Sequence, residues 1–282
     1  MNKRFGGVGN IGKRHNSRGK STPTVKRTKL KKGDSIKKTS TGKWIEQSLA
    51  NNLKHVQSSK PGVIRCSGIG DGARTLALKY SGEFKETVQL PNLRYMNNGT
   101  YGHERWEQHL KDAGIMHASE SAIPPHPDLP LQGQFDFIVK DDAGEKFLLE
   151  LKTTNSQKWN NISEPDMMHI SQWAIYSDRL KVEKGFIIYE NRDNLTPKYF
   201  PISREGTDIS LYTLSGIRTK VLNGFVTNTY DKVRFAIWCV ENDAFPAEEC
   251  DPCKQWGCKM PDLCKEYQET KQKVSFEEWK RQ

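Results

Sequence analysis

The chain has 282 residues, enough to bury a core as one domain with extensions or as two small ones. Its net charge of +10 is unevenly spread: residues 1–43 hold 14 Lys or Arg against one acid, Asp34, a net +13, so residues 44–282 together carry about −3. No run of 18 apolar residues and no secretory apolar segment occurs, which argues against a membrane-spanning helix and against export, so a cytoplasmic protein that is not secreted is expected.

Residues 1–43 are rich in Lys, Gly, Ser and Thr with little to bury, so a disordered basic tail is expected there. It suits sequence-independent attraction to a phosphate backbone, or a solubilising or localising role. A mitochondrial presequence fits less well, because the segment is Lys-rich and lacks an apolar face. Next, Ile45, Leu49 and Leu53 are four apart and predict a helix over 44–56, with a Ser-Ser-Lys-Pro-Gly turn at 58–62. A helix is expected over 74–80, ended by Gly82, and a longer one over 99–114, with Trp106 and Leu110 on one face and Gly114 as its C-cap. Four prolines make 121–132 extended or turning. Strands follow at 135–139 and 146–152, joined by the Asp141-Asp142-Ala143-Gly144 turn.

A helix over 165–180 carries Met168, Trp173, Ile175 and Tyr176, and the apolar run 185–190 suits a buried central strand with 198–202 as its antiparallel neighbour. The stretch 209–240 reads as a last long helix with an interruption. Interleaved strands and helices give an α/β class, with α+β the alternative.

Alternate side chains of a strand share a face, so Glu150 and Lys152 project together while Leu151 points away, and Asp136 lies within reach across the hairpin. Two converging carboxylates with a backbone carbonyl suit a hard cation such as Mg²⁺ or Mn²⁺, which activates water and stabilises charge on a phosphodiester. The bland reading is a solvated hairpin face with an acid and a base at i, i+2. Arg192, after the central strand, is a candidate phosphate contact or a solvated side chain.

Four short motifs stand in order: Gly99 four residues before His103, Gly133-Gln134-Phe135-Asp136, Glu150-Leu151-Lys152, and Gln172 four residues before Tyr176. Together they resemble the PD-(D/E)XK nuclease superfamily, in particular its RecB-like exonuclease branch, which includes CRISPR-associated and phage recombination exonucleases. The resemblance covers about residues 60–265. It implies a restriction-endonuclease-like core, a central mixed sheet flanked by helices, over 44–240, with a cysteine segment at 241–282 packed on it. It implies metal ligation by His103, Asp136, Glu150 and the Leu151 carbonyl, with Asp136, Glu150 and Lys152 catalytic. Glu104 and Glu107 compete with His103 by proximity alone. Gln172 and Tyr176 would face DNA near the lysine.

The activity implied is a divalent-metal-dependent DNA exonuclease in recombination or end processing, in a bacterial or phage-infected cell, with a recombination protein as a candidate partner. A structure-selective or nicking endonuclease has the same site, and a non-catalytic DNA-binding protein is the alternative of another class.

Cysteines stand at 66, 239, 250, 253, 258 and 264, four of them within fifteen residues. In a reducing compartment that clustering points to a metal or cluster site. The resemblance implies a [4Fe-4S] cluster held by one upstream cysteine, Cys66, and three of Cys250, Cys253, Cys258 and Cys264. The sequence departs from the related pattern, in which the upstream cysteine lies two residues before the arginine matching Arg74; Gly72 stands there instead. A local site of the four C-terminal thiols is the alternative, and it suits zinc as readily. Cys239 reads as a buried small hydrophobe.

Overall fold

A computed structural model of the chain describes residues 55–88, 90–248 and 260–282. The basic tail, most of the helix expected over 44–56 and Cys250, Cys253 and Cys258 lie outside the described residues. The end of that expected helix is instead strand β1 (His55–Ser58), paired antiparallel with β3 (Lys85–Val88). Between them run β2 (Ile64–Arg65), a single 3-10 turn at Cys66–Gly68 and α1 (Ala73–Ser81), which Gly82 ends in the left-handed conformation at φ 84°. Helix α2 (Leu90–Asp112) begins nine residues earlier than its sequence pattern predicts, and Gly114 follows it with φ 72°.

The remaining strands of the core are β4 (Met116–Ala122), β5 (Leu131–Gln132), β6 (Gln134–Lys140), β7 (Lys146–Thr154), β8 (Lys184–Asn191), β9 (Pro197–Glu205), β10 (Asp208–Tyr212) and β11 (Arg218–Leu222). Seven of them form one mixed sheet in the order β11-β10-β9-β8-β7-β6-β4. Within this sheet only β7 and β8 pair in parallel, which demands a crossover. It is supplied by α3 (Ser156–Asn161), whose cap Asn155 accepts the Lys158 N–H at 2.7 Å, and α4 (Met167–Leu180), capped by Asp166. Helices flank both faces, so the protein is a mixed α/β fold. Strand residues alternate between two cores. Leu148, Ile187, Ile202, Ile209 and Leu211 pack with Ile170, Trp173 and Ala174 of α4 and Val233 and Ala236 of α5 (Phe225–Glu241). Phe137, Val139, Leu149, Leu151 and Ile188 pack with Leu110 of α2 on the opposite face.

The long helix expected over 209–240 is corrected: nearly its first half is the β10–β11 hairpin, and α5 starts only after Gly224, at φ 61°. The turn residues explain the hairpin, since Gly206, Gly216 and Gly224 all adopt positive φ and bracket the two five-residue strands. Strand β4 had no forecast; it pairs antiparallel with β6 and brings Ser119 opposite Phe137.

After α5, β12 (Ala244–Pro246) pairs parallel with β13 (Gln272–Val274), separated by α6 (Pro261–Thr270) and followed by α7 (Phe276–Lys280). The buried Arg74 of α1 donates to the Pro246 carbonyl at 2.8 Å and to that of Ala247 at 2.5 Å. Phe235 of α5 packs on Phe276 and Trp279, with ring centroids 5.4 and 5.7 Å away. These contacts fasten the described part of 241–282 to the sheet domain.

Candidate active site

The β6–β7 hairpin and α2 bring four of the expected residues together. Register pairs Phe137 with Leu149 and so sets Asp136 beside the middle of β7. The Leu151 N–H donates to Asp136 Oδ2 at 2.7 Å. His103 Nδ1 lies 3.6 Å from Asp136 Oδ1, and its ring packs on Phe137 at 5.9 Å. Glu150 shares its strand face with Leu148 and is fully buried; neither of its oxygens accepts a well-formed hydrogen bond, and its close partner is the Lys152 ammonium, 2.5 Å from Oε1. Lys152 Nζ also donates to Gln172 Oε1 at 3.2 Å, and Gln172 Nε2 to the Tyr176 hydroxyl at 3.3 Å.

The electrostatics follow from crowding two acids into this space. Burial pushes the Asp136 carboxyl up to about 6, against the pull of Lys152 and the Leu151 N–H. Burial, and then the charge of Asp136, push Glu150 up to about 7, against Lys152. Burial lowers Lys152, but the charges of Glu150 and Asp136 outweigh it and hold the ammonium above its ordinary value. His103 is held below its ordinary value, chiefly by burial, with Glu150 and a hydrogen bond to the Leu151 backbone opposing. The imidazole is therefore neutral near pH 7, with a nitrogen lone pair to offer.

Hard carboxylate oxygens, a neutral imidazole and a backbone carbonyl are the donor set that Mg²⁺ or Mn²⁺ takes, and Glu150, buried with the Lys152 ammonium as its close partner, is the carboxylate a cation would relieve. Among the described residues no three His, Cys, Asp or Glu side chains converge at ligand distances. At this site the Lys152 ammonium lies on Glu150 and the Leu151 N–H holds Asp136.

Gln172 and Tyr176 do not present a surface. They are 5% and 1% exposed, because α4 lays this face on β7, so the structure brings them to the lysine but not to solvent. Tyr176 also fills the space left by Gly133, where a Cβ would stand 2.9 Å from its hydroxyl and 2.9 Å from Cys66 Cβ. Arg192 follows β8, its N–H bonded to the Thr154 carbonyl at 2.8 Å and its guanidinium 4.1 Å over the Tyr95 ring.

Cys66 is fully buried in the core on the α4 side, and burial pushes its thiol up to about 12. Cys264 packs in a separate cluster with Leu78, Phe84 and Phe245. Cys239 is fully buried beside Phe235 and Val274, among the hydrophobes expected for it.

Three residues escaped the sequence reading. Glu120 on β4 has φ 39° and places Oε1 3.7 Å from His103 Nδ1. His169, one turn before Gln172, has Nδ1 2.6 Å from the Tyr189 hydroxyl, and burial, then the charge of Lys152, depress it to about 3. Neither carried a motif; only the pairing of β4 with β6 and of β7 with β8 reveals them. Tyr95, exposed on α2, is the third.

No family model matches the chain, and no curated protein does. Among solved structures, one titled SSO0001 superposes with a TM-score of 0.40 and 17% identity over 70% of this chain and 85% of its own. The alkaline exonuclease LHK-Exo of Laribacter hongkongensis does so with a TM-score of 0.46 and 11% identity over 70% of this chain and 93% of its own. LHK-Exo in complex with dAMP gives 0.45 and 12%, over 64% and 89%.

Proposed function

We propose that the chain is a divalent-metal-dependent DNA nuclease acting from strand ends in recombination or DNA end processing. The observation that carries the proposal is the fully buried Glu150 carboxylate, without a well-formed hydrogen bond, beside Asp136 and Lys152 in the middle of a sheet. A purely structural hairpin has no reason to bear that desolvation cost. His103, Asp136, Glu150 and the Leu151 carbonyl would hold Mg²⁺ or Mn²⁺. The ion, when bound, supplies Lewis-acid stabilisation of phosphodiester charge and a lowered pKa for water.

The side chains divide the remaining work. Asp136 and Glu150, freed of protons above about pH 7, give the pocket its negative charge. Seating a cation requires the Lys152 ammonium to move off Glu150, and Gln172 Oε1, already 3.2 Å from it, offers the alternative acceptor. Lys152 would then orient the attacking water or neutralise the developing phosphate charge. Gln172 and Tyr176 hold that lysine in position. For the C-terminal thiols we propose a [4Fe-4S] cluster, with zinc as the competing occupant.

The test uses purified full-length chain with end-labelled linear and closed circular DNA, with and without Mn²⁺. Expected is Mn²⁺-dependent shortening of the linear DNA, abolished by Asp136→Asn and by Lys152→Ala. Cutting of the circle would convert the assignment to an endonuclease. Binding without cleavage of either substrate would leave a non-catalytic DNA-binding protein.

A further inference from the structure

Helix α2 carries the site histidine at one point of its length and an unusual surface at another. Tyr95, Met96 and Tyr101 are all exposed large side chains within seven residues, and Tyr95 is 51% exposed. Tyr95 does not stand alone: the Arg192 guanidinium lies 4.1 Å over its ring. The chain neighbour Asp193 is held below the ordinary carboxylate value by hydrogen bonds from Ser156 and, in smaller part, by the Arg192 charge; the planar face over Tyr95 is the contact that defines the position of Arg192. Its backbone is fixed to the end of β7, two residues beyond Lys152, by the bond from its N–H to the Thr154 carbonyl.

The two halves of this surface are held to the site by a close approach of backbone. A Cβ on Gly102 would stand 2.9 Å from Thr153 Cγ2, and one on Gly99 3.8 Å from Thr153 Oγ1. The glycines thus let α2 lie against β7 at the residue next to Lys152, with His103 on one side of the crossing and Tyr95 on the other. Eight residues of helix put them about 12 Å apart along its axis, a span of a few nucleotides of an unpaired strand.

We infer that Tyr95 and Arg192 form a stacking platform for a nucleobase of an unpaired strand end, a few nucleotides from the bond to be cleaved. The inference rests on the nuclease reading of the neighbouring site. An aromatic ring backed by a guanidinium offers a flat cationic surface that any base can cover, whereas a paired, stacked base has no free face. Arg192 adds attraction to the phosphates on either side. The ligand class is therefore single-stranded or frayed DNA without strong sequence preference.

The test places 2-aminopurine, whose fluorescence falls on stacking, at each of the first six positions from the end of a single strand, with Lys152→Ala as the uncut binder. Expected is quenching at one or two positions. Adding Tyr95→Ala should restore the fluorescence there and weaken binding roughly 5- to 150-fold, the usual range for one stacked base. Arg192→Lys, which keeps the charge but loses the planar stack, should lose part of the quenching. Tyr95→Trp should keep it. In the otherwise wild-type chain, Tyr95→Ala should slow digestion of an intact end but not of one abasic at the quenched position.

Unchanged quenching in Tyr95→Ala, or equal slowing on intact and abasic ends, overturns the platform while leaving the nuclease reading in place. Absence of cleavage by the wild-type chain, with quenching that depends on Tyr95, overturns the nuclease reading and leaves the platform. Failure to bind any strand overturns both.

Discussion

Replacing Glu150 by Gln should stabilise the metal-free protein at alkaline pH while abolishing cleavage. Glu150 rises from an ordinary 4.5 to about 7 in the fold, which corresponds to about 3 kcal/mol at roughly 1.4 kcal/mol per tenfold change in proton affinity. The sign follows from proton occupancy. The folded state holds this proton over a range in which the unfolded chain has released it, so stability falls as pH climbs from about 4.5 to about 7. Asp136, raised to about 6, acts in the same direction. Protonating either acid relieves the other, so the pair gives up about one proton's worth of stability rather than two.

In the wild-type site two acids face one ammonium. In Glu150→Gln, Asp136 and Lys152 remain as a one-to-one pair, and the net gain at pH 8 should be about 1–3 kcal/mol after allowance for the lost contact to Lys152. A domain of this size gains roughly 2–4 °C in Tm for each kcal/mol. Thermal unfolding in a chelator at pH 5, 6.5 and 8 should show the two proteins nearly equal at pH 5 and the variant ahead at pH 8. Mn²⁺ at a hundred times its Kd should return about 2.7 kcal/mol to the wild type only. A variant less stable than wild type at pH 8 would refute the reasoning, because it would mean that Glu150 is satisfied where it lies.

Gly102→Ala should cost about 1–3 kcal/mol and most of the activity, because its methyl would press on the stiff Thr153 side chain and shift the helix that bears His103. Thr153→Ser, which removes the opposing methyl, should restore much of both, and additive losses in the double variant would sink the steric account. Cys264→Ala should lower bound iron or zinc, measured by metal analysis and visible absorbance, whereas Cys66→Ala should leave both unchanged; the reverse result would bring Cys66 into the ligand set. Removing residues 1–43, with their net +13, should weaken DNA binding and flatten its dependence on salt. An equal salt slope in the full and shortened chains would assign the tail to something other than DNA.

The hairpin of β6 and β7 was legible because each strand is short and apolar and the turn Asp141-Asp142-Ala143-Gly144 separates them, and once the register is set alternation places Asp136, Glu150 and Lys152 together. The stretch 209–222 was not. Ile209 and Leu211 are two apart, and Ile217, Val221 and Leu222 fit a helical spacing as well as a strand. The decision rests on Gly206, Gly216 and Gly224, whose positive φ breaks the chain into hairpin and helix. Strand β4 carries few apolar residues to announce it, and its strand character comes from pairing with β6. Glu120 and the Tyr95–Arg192 stack depend on contacts between residues far apart in the chain, and no local period encodes those.

The glutamine and tyrosine of α4 show how a spacing can be legible in the sequence while the burial of its face is not. Spacing of four puts Gln172 and Tyr176 on one helix face, and polar side chains on one face suggest contact with a ligand. That face is instead buried on β7, where the Tyr176 hydroxyl receives Gln172 Nε2, which leaves Gln172 Oε1 aimed at the Lys152 ammonium. The crossover required by the parallel β7–β8 pair thus delivers the support for the lysine as well as joining the strands. Polarity here marks a buried network beside a charged side chain, not an exposed face.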